Sequence, residues 1–339
     1  MKLNQATAEC IDMRFSLLFL AALSLSSSMT VLALELPAPV VSAEWLHNNR
    51  DDVIVLDFRS DTDGFISAPS YETIDGKSVL VAGGGHIDGA RLVDFNAWRV
   101  SKQINGKKID KLVPDAATVE SLMQELGVNK GDSLILTTPG ESFDEVDMAA
   151  RAYWTLKSYG HRSMAVLDGG NAAWGIGGYA LKTDTYTIPK RGDWQASPFD
   201  ATWFIDSAGV SSALETPANN LALVDARPTP QYLGIVYKAP AVTAPGHIAG
   251  AKNFAADLQV RPKGIGQYFL SEAQYRDVFD ALSIPLNSDE VITYCNTGHL
   301  AAGAWFIASE VMKLPSVKLF DGSLHEWTTL GHPVVAEVR

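Results

Sequence analysis

Cys295-Asn296-Thr297-Gly298-His299-Leu300 is the stretch in which residue type and spacing speak most directly of chemistry. Cys295 follows a short apolar, β-rich run, Val291 to Tyr294, and precedes an apolar stretch, Leu300 to Leu314, that reads as a helix. A sulfur at the junction of strand end and helix start meets unbonded N–H groups and the positive end of the helix dipole, and both stabilise an anion. Gly298 lets the loop curl so that its amides converge on the sulfur. A thiolate held in this way is a nucleophile. If it attacks a donor sulfur it becomes a persulfide, Cys–S–S⁻, and the same amides hold the product. The plainer alternative is a small buried thiol with no chemistry. The strand, glycine-bearing loop and helix around Cys295 weigh against it.

Other residues carry weaker signals. Asp225 and Arg227 stand two apart at a strand end and so share a face, as a local ion pair would. The same pair recurs as Asp57 and Arg59, and His247 has a counterpart in His86; both histidines read as turn-fixing residues. Gly83-Gly84-Gly85 lacks the rest of a dinucleotide fingerprint, the histidines are scattered, and no carboxylate–histidine spacing suggests a metal site, so no cofactor or metal is expected. Trp305 and Phe306 read as core.

The elements that must position these residues occur twice. The first copy runs Val53-Ile54-Val55-Leu56-Asp57-Phe58-Arg59, Gly85-His86-Ile87-Asp88-Gly89-Ala90, Leu134-Ile135-Leu136, Val166-Leu167-Asp168-Gly169-Gly170 and Trp174. The second runs Leu221-Ala222-Leu223-Val224-Asp225-Ala226-Arg227, Gly246-His247-Ile248-Ala249-Gly250-Ala251, Val291-Ile292-Thr293-Tyr294, Leu319-Phe320-Asp321-Gly322-Ser323 and Trp327. Such agreement in order implies a duplicated domain. Short apolar runs without polar alternation, interleaved with helical stretches such as Ala116 to Leu126 and Glu272 to Leu282, predict an α/β fold. Each copy should be a mainly parallel sheet flanked by helices, with sites at the carboxyl ends of strands. The predicted boundaries are residues 38–185 for the first domain, 186–199 for a linker and 200–339 for the second. By strand alignment Thr138 stands where Cys295 stands in the second copy. A hydroxyl there cannot carry sulfur, so the first domain should be inactive, a packing partner that walls one side of the cleft.

The chain has 339 residues, 47% hydrophobic and 19% charged, which suits two globular domains. Its net charge of −12 disfavours nucleic acid and anionic membranes as partners. Residues 1–33 read as a signal peptide: Lys2 and Arg14, an apolar stretch from Phe15, and a cleavage site after Ala33. The expected location is outside the cytoplasm, in a bacterial periplasm, with no stable membrane association after cleavage. Cleavage would remove Cys10 and leave Cys295 as the remaining cysteine, so no intrachain disulfide could form.

The Cys295–Leu300 loop, the paired Gly-His-Ile-x-Gly-Ala motifs and the Asp-Gly-x-x-x-x-Trp endings together resemble the rhodanese family. The likeness covers nearly everything after the signal segment and implies a tandem member with an inactive first domain and an active second one. The implied activity is transfer of a sulfane sulfur from thiosulfate or 3-mercaptopyruvate to a thiophilic acceptor such as cyanide or a thiol, or to a protein. It also implies that Asn296, Thr297, Gly298, His299, Leu300 and Arg227 bind substrate while Asp225 and His247 support the loop. Two features depart from the family. Thiosulfate-type members commonly have Arg and Lys after the cysteine, and mercaptopyruvate-type members Gly and Ser; Asn296 and Thr297 match neither. Gln231 stands where many tandem members have a second arginine. A dianionic donor would then rely on amide dipoles and Arg227, so weak thiosulfate activity or a protein donor is expected. A cysteine phosphatase or arsenate reductase would need an arginine closing the loop, where Leu300 and Ala301 stand. An exported binding or sulfur-relay module with little small-molecule activity is the other alternative.

Overall fold

The computed structural model describes residues 35–216 and 220–338; the expected signal peptide, residues 1–33, lies outside them. Each repeat builds a five-stranded sheet whose paired strands all run parallel. In the first the order is Val40–Val41, Met164–Leu167, Leu134–Thr137, Ile54–Arg59, Arg91–Asp94. In the second it is Phe204–Ile205, Val317–Phe320, Glu290–Tyr294, Leu221–Asp225, Lys252–Asn253. The order is the same, and the expected α/β architecture is borne out. Leu134–Thr137 and Met164–Leu167 are buried at every position, which is why their sequences lack polar alternation.

The helix Phe143–Ser158 follows the Thr138 loop, as Leu300–Phe306 follows the Cys295 loop. A capping box, Ser142 with Glu145, starts the longer helix and satisfies two N-terminal amides. It is buried nearly all round because its own sheet covers one face and Leu300–Phe306 of the other repeat covers another. Tyr153 and Phe306 meet edge to face across that contact at 4.9 Å between ring centroids. The helix expected to run from Leu300 to Leu314 does not do so. It is α-helical to Phe306 and then widens into a π turn, Ile307–Val311, with Met312 N–H bonded to Ile307 O. The extra residue per turn carries Glu310 round to Lys157 of the first repeat, 2.6 Å away, and to the Tyr153 hydroxyl at 3.1 Å.

Antiparallel hairpins reach from each repeat onto the other. Val100–Ile104 pairs with Lys107–Leu112 through a turn in which Asn105 and Gly106 are both left-handed, as a two-residue hairpin requires. This hairpin lies against the second repeat: Asp110 N–H donates to His325 Nε2 at 3.0 Å, and Val113 N–H just beyond it donates to Asp321 Oδ2 at 2.9 Å. Reciprocally, Val260–Lys263 and Gly266–Phe269 form a hairpin on the first repeat. There Gln267 N–H donates to Gly140 O at 2.8 Å and Phe269 N–H to Asp168 Oδ1 at 2.9 Å. Residues 186–199 contain no helix or strand and lie along the first repeat, where Trp194 is buried and donates to His161 Nδ1.

Candidate active site

Cys295 stands directly after the strand Glu290–Tyr294 and is 1% exposed. Ser323, from the Asp321-Gly322-Ser323 turn, clamps its loop. The Ser323 hydroxyl accepts the amides of Cys295 and Gly298, each at 3.0 Å, and donates its proton to Phe320 O at 2.8 Å. Its oxygen lies 4.0 Å from Cys295 Sγ. Two of the amides expected to face sulfur are therefore held by a serine instead. Those of Asn296, Thr297 and His299 have no protein acceptor among the described residues. Gly298 has φ +72°, and a Cβ there would stand 2.4 Å from Asp321 O, so only glycine fits. The turn is tied from outside by Leu324 N–H to Cys295 O, by His325 N–H to Asn296 O, and by Arg151 Nη1 to Gly298 O. Arg151 comes from the first repeat, is fully buried and pairs with Asp321.

Cys295 opens into a cavity of about 140 Å³ formed by both repeats. The second repeat contributes Asn296, Thr297, His299 and Leu300, together with Lys238. The first contributes Ser60, Phe95, Arg99, Lys111, Asp144 and Met148. Asn296 Nδ2 donates to Gln231 Oε1 at 2.8 Å, while its own Oδ1 is buried without a partner. His299 brings no charge. Its Nε2 meets Asp144 O at 2.9 Å, and burial, aided by the nearby Arg99 cation, pushes its pKa well below the usual imidazole value. Burial, followed by the charge of Arg151, lowers Arg99 to about 10, so the guanidinium stays protonated at neutral pH.

Arg227, for which the resemblance implies substrate binding, is not among the residues that line this cavity. It is fully buried, its Nε and Nη2 are engaged by both Asp225 oxygens, and Nη2 also donates to Gly246 O at 2.8 Å. Such a bidentate pair fixes the guanidinium in place. Asp225 lies opposite Tyr294 in the sheet register, next to the strand that carries Cys295. His247 makes its contacts outside the cysteine loop. Its backbone bridges Val335, its Nδ1 meets Tyr232 O at 2.8 Å, and its ring stacks on Tyr232 at 3.9 Å. Sequence reasoning missed Arg99, Lys111, Lys238, Arg151 and Ser323. Only Ser323 left a trace, standing where the first repeat has Gly170.

The matching place in the first repeat is built differently. Thr138 stands at the cysteine position, and Asn171 N–H donates to its carbonyl at 2.8 Å. A Cβ at Gly170 would lie 2.4 Å from that oxygen. The nearby cavity, lined by Arg59, Pro139 and Asn171 among others, measures about 10 Å³.

Comparison with known proteins agrees with this geometry. The rhodanese-like domain family matches residues 210–330. A Pseudomonas aeruginosa protein named "Probable 3-mercaptopyruvate sulfurtransferase" is 32% identical over 285 residues, 83% of this chain and 91% of its own. The Thermus thermophilus sulfur carrier protein TtuD is 26% identical over 88% of this chain and 96% of its own. The crystal structure of SseA, a 3-mercaptopyruvate sulfotransferase from Escherichia coli, superposes with TM-score 0.66 at 22% identity, covering 84% of this chain and 98% of that one. Doubled parallel sheets, a cysteine loop between strand and helix, and similarity along most of its length place this chain in the rhodanese family of sulfurtransferases.

Proposed function

We propose that Cys295 is the sulfur carrier of this enzyme. Its thiolate takes a sulfane sulfur from thiosulfate or 3-mercaptopyruvate, holds it as a persulfide, and passes it to a thiophilic acceptor such as cyanide or a thiol. The observation that carries this reading is the placement of Cys295 in the wall of a small cavity at a strand–helix junction, in a loop whose Asn296, Thr297 and His299 amides have no protein acceptor among the described residues, with cations lining the walls. Amides and cations favour both the thiolate and the persulfide anion. The chemistry calls for neither metal nor cofactor. The first repeat acts as an inactive partner, since Thr138 offers no sulfur and its carbonyl is taken by Asn171 N–H. Residues 1–33 direct export to the periplasm, a reading that rests on sequence alone; N-terminal sequencing of the protein from a periplasmic fraction tests it.

One observation favours a protein acceptor. Ile235, Val236 and Tyr237, exposed by 58%, 50% and 45%, directly precede cavity-lining Lys238 and would give a partner an apolar foothold.

The test is an intact mass spectrum of the purified protein before and after exposure to thiosulfate or 3-mercaptopyruvate. We expect a gain of one sulfur that is lost in Cys295→Ser. No gain with any small donor would instead support a relay module served by a protein partner.

A further inference from the structure

We propose that the first repeat, though it carries no sulfur itself, supplies the anion-binding side of the active site: Arg99 and Lys111, joined by Lys238, hold the oxyanion of a thiosulfate-type donor and the sulfite it leaves behind. This rests on the persulfide reading above and gives it a donor class.

Arg99 is the first observation. Its guanidinium lies over the Phe95 ring, 4.3 Å from the centroid, and its Nε is buried with no hydrogen-bond partner. Among the described residues it makes no ion pair, whereas the buried arginines Arg59, Arg151 and Arg227 each hold a carboxylate. A partly buried cation without a counterion is costly unless something else neutralises it. Here the open direction is the cavity of Cys295.

Lys111 is the second. Val100 pairs with Leu112 but Lys102 with Ile109, so Asp110 and Lys111 together oppose Ser101 in a β-bulge. Lys111 has φ +67°, a conformation that disfavours any side chain. Bulges re-aim side chains, and backbone strain of this kind collects where position matters. The result is a lysine in the cavity wall. Burial lowers the Lys111 pKa and the charges of Arg99 and Lys238 lower it further, so the three cations sit close enough to repel one another. Asp144 is the carboxylate in the cavity wall, and its side chain is 56% exposed and therefore screened; Asp321 and Asp110, which also act on Arg99 and Lys111, are paired with Arg151 and Lys108. The surplus positive charge suits a dianion, in a chain whose net charge is −12.

The step balances without added reagents. The Cys295 thiolate attacks the outer sulfur of thiosulfate, a new S–S bond forms, and the S–S bond of the donor breaks with its electron pair leaving on sulfite. Total charge is unchanged, and no proton or outside oxidant is required. Arg99 and Lys111 face the departing oxyanion, the part of the donor that neither Arg227 nor His299 can serve.

The test uses the full protein with Arg99→Met, Lys111→Met and Arg99→Lys. One readout is the thiosulfate concentration that half-loads Cys295 with sulfur, followed by mass. The other is the rate of Cys295 alkylation by anionic iodoacetate divided by that with neutral iodoacetamide, a ratio that cancels changes in thiol reactivity. Each Met variant should raise the first about tenfold and lower the second by a similar factor, and Arg99→Lys should recover most of both. Unchanged values in both Met variants, with the wild type loading normally, would overturn the proposal. A wild type that takes no sulfur from any donor, yet loses its iodoacetate preference in Arg99→Met, would overturn the persulfide reading while the anion site stands.

Discussion

Ser323 has φ +50°, and Gly170, its counterpart in the first repeat, has φ +57°. Glycine occupies that conformation freely, whereas a side chain there costs about 1 kcal/mol. The second repeat keeps the strain because the hydroxyl accepts two buried amides of the cysteine loop. Ser323→Gly should relieve the strain yet leave both amides unpaired, at about 1–3 kcal/mol each. Ser323→Ala should lose the hydroxyl and keep the strain. The expected order of stability, read by thermal melts, is wild type, then Gly, then Ala, with slower sulfur loading in both variants. An Ala variant as stable as wild type would show that the clamp is not needed. At this scale the sequence was most legible where chemistry is local. A cysteine between strand and glycine loop announces itself, and so does an Asp–Arg pair two residues apart. The spacing of Asp225 and Arg227 pointed to the ion pair that forms, whereas the substrate role expected of Arg227 came from the family resemblance.

Between the helices Phe143–Ser158 and Leu300–Phe306 the packing is close enough that a Cβ on Gly303 would fall 1.8 Å from Asp147 Oδ1. Asp147 Oδ2 and Gln259 Oε1 are both buried without partners nearby. Burial pushes the Asp147 pKa well above the ordinary carboxylate value, so the carboxyl resists ionisation. The sign follows from linkage. The folded state holds the proton more tightly than the unfolded chain, so wild-type stability declines as pH rises above 3.8 toward the raised value. Asp147→Asn cannot ionise and its amide can donate to Gln259 Oε1. It should therefore be stabilising at neutral pH by about 1–3 kcal/mol, with the gain shrinking toward acid. Paired melts across pH check this; a pH-independent difference would count against a neutral Asp147. Element types and a mainly parallel sheet were readable from apolar runs, but the strand order and the π turn at Ile307–Val311 were not. A largely apolar stretch, buried on every side from Ala301 to Ala308, does not distinguish one helical period from another.

At the scale of the whole molecule, the family match at residues 210–330 covers the cysteine but none of the side chains that the first repeat brings to it. Of those, Arg99 and Lys111 lie almost two hundred residues away in sequence, at the start of and within a hairpin whose register no local pattern reveals. A fragment of residues 200–339 would lack Arg99 and Lys111. It would leave Asp321 without Arg151, and would open Phe306 and its neighbours to water. Removing one partner of a buried ion pair costs about 3–5 kcal/mol by itself. We expect that fragment to show no cooperative melt and to take up no sulfur, and co-expression with residues 35–199 to restore both. The volume beside Cys295 has a consequence for the order of events. About 140 Å³ is well below the ~300–1,000 Å³ of sites that take drug-sized ligands, so the cavity suits one small anion better than two reactants together. Donor remnant and acceptor must take turns: the first product departs before the second substrate can reach the persulfide. The size of the cavity thus favours one order of events, and initial-rate plots at several acceptor concentrations should run parallel rather than converge.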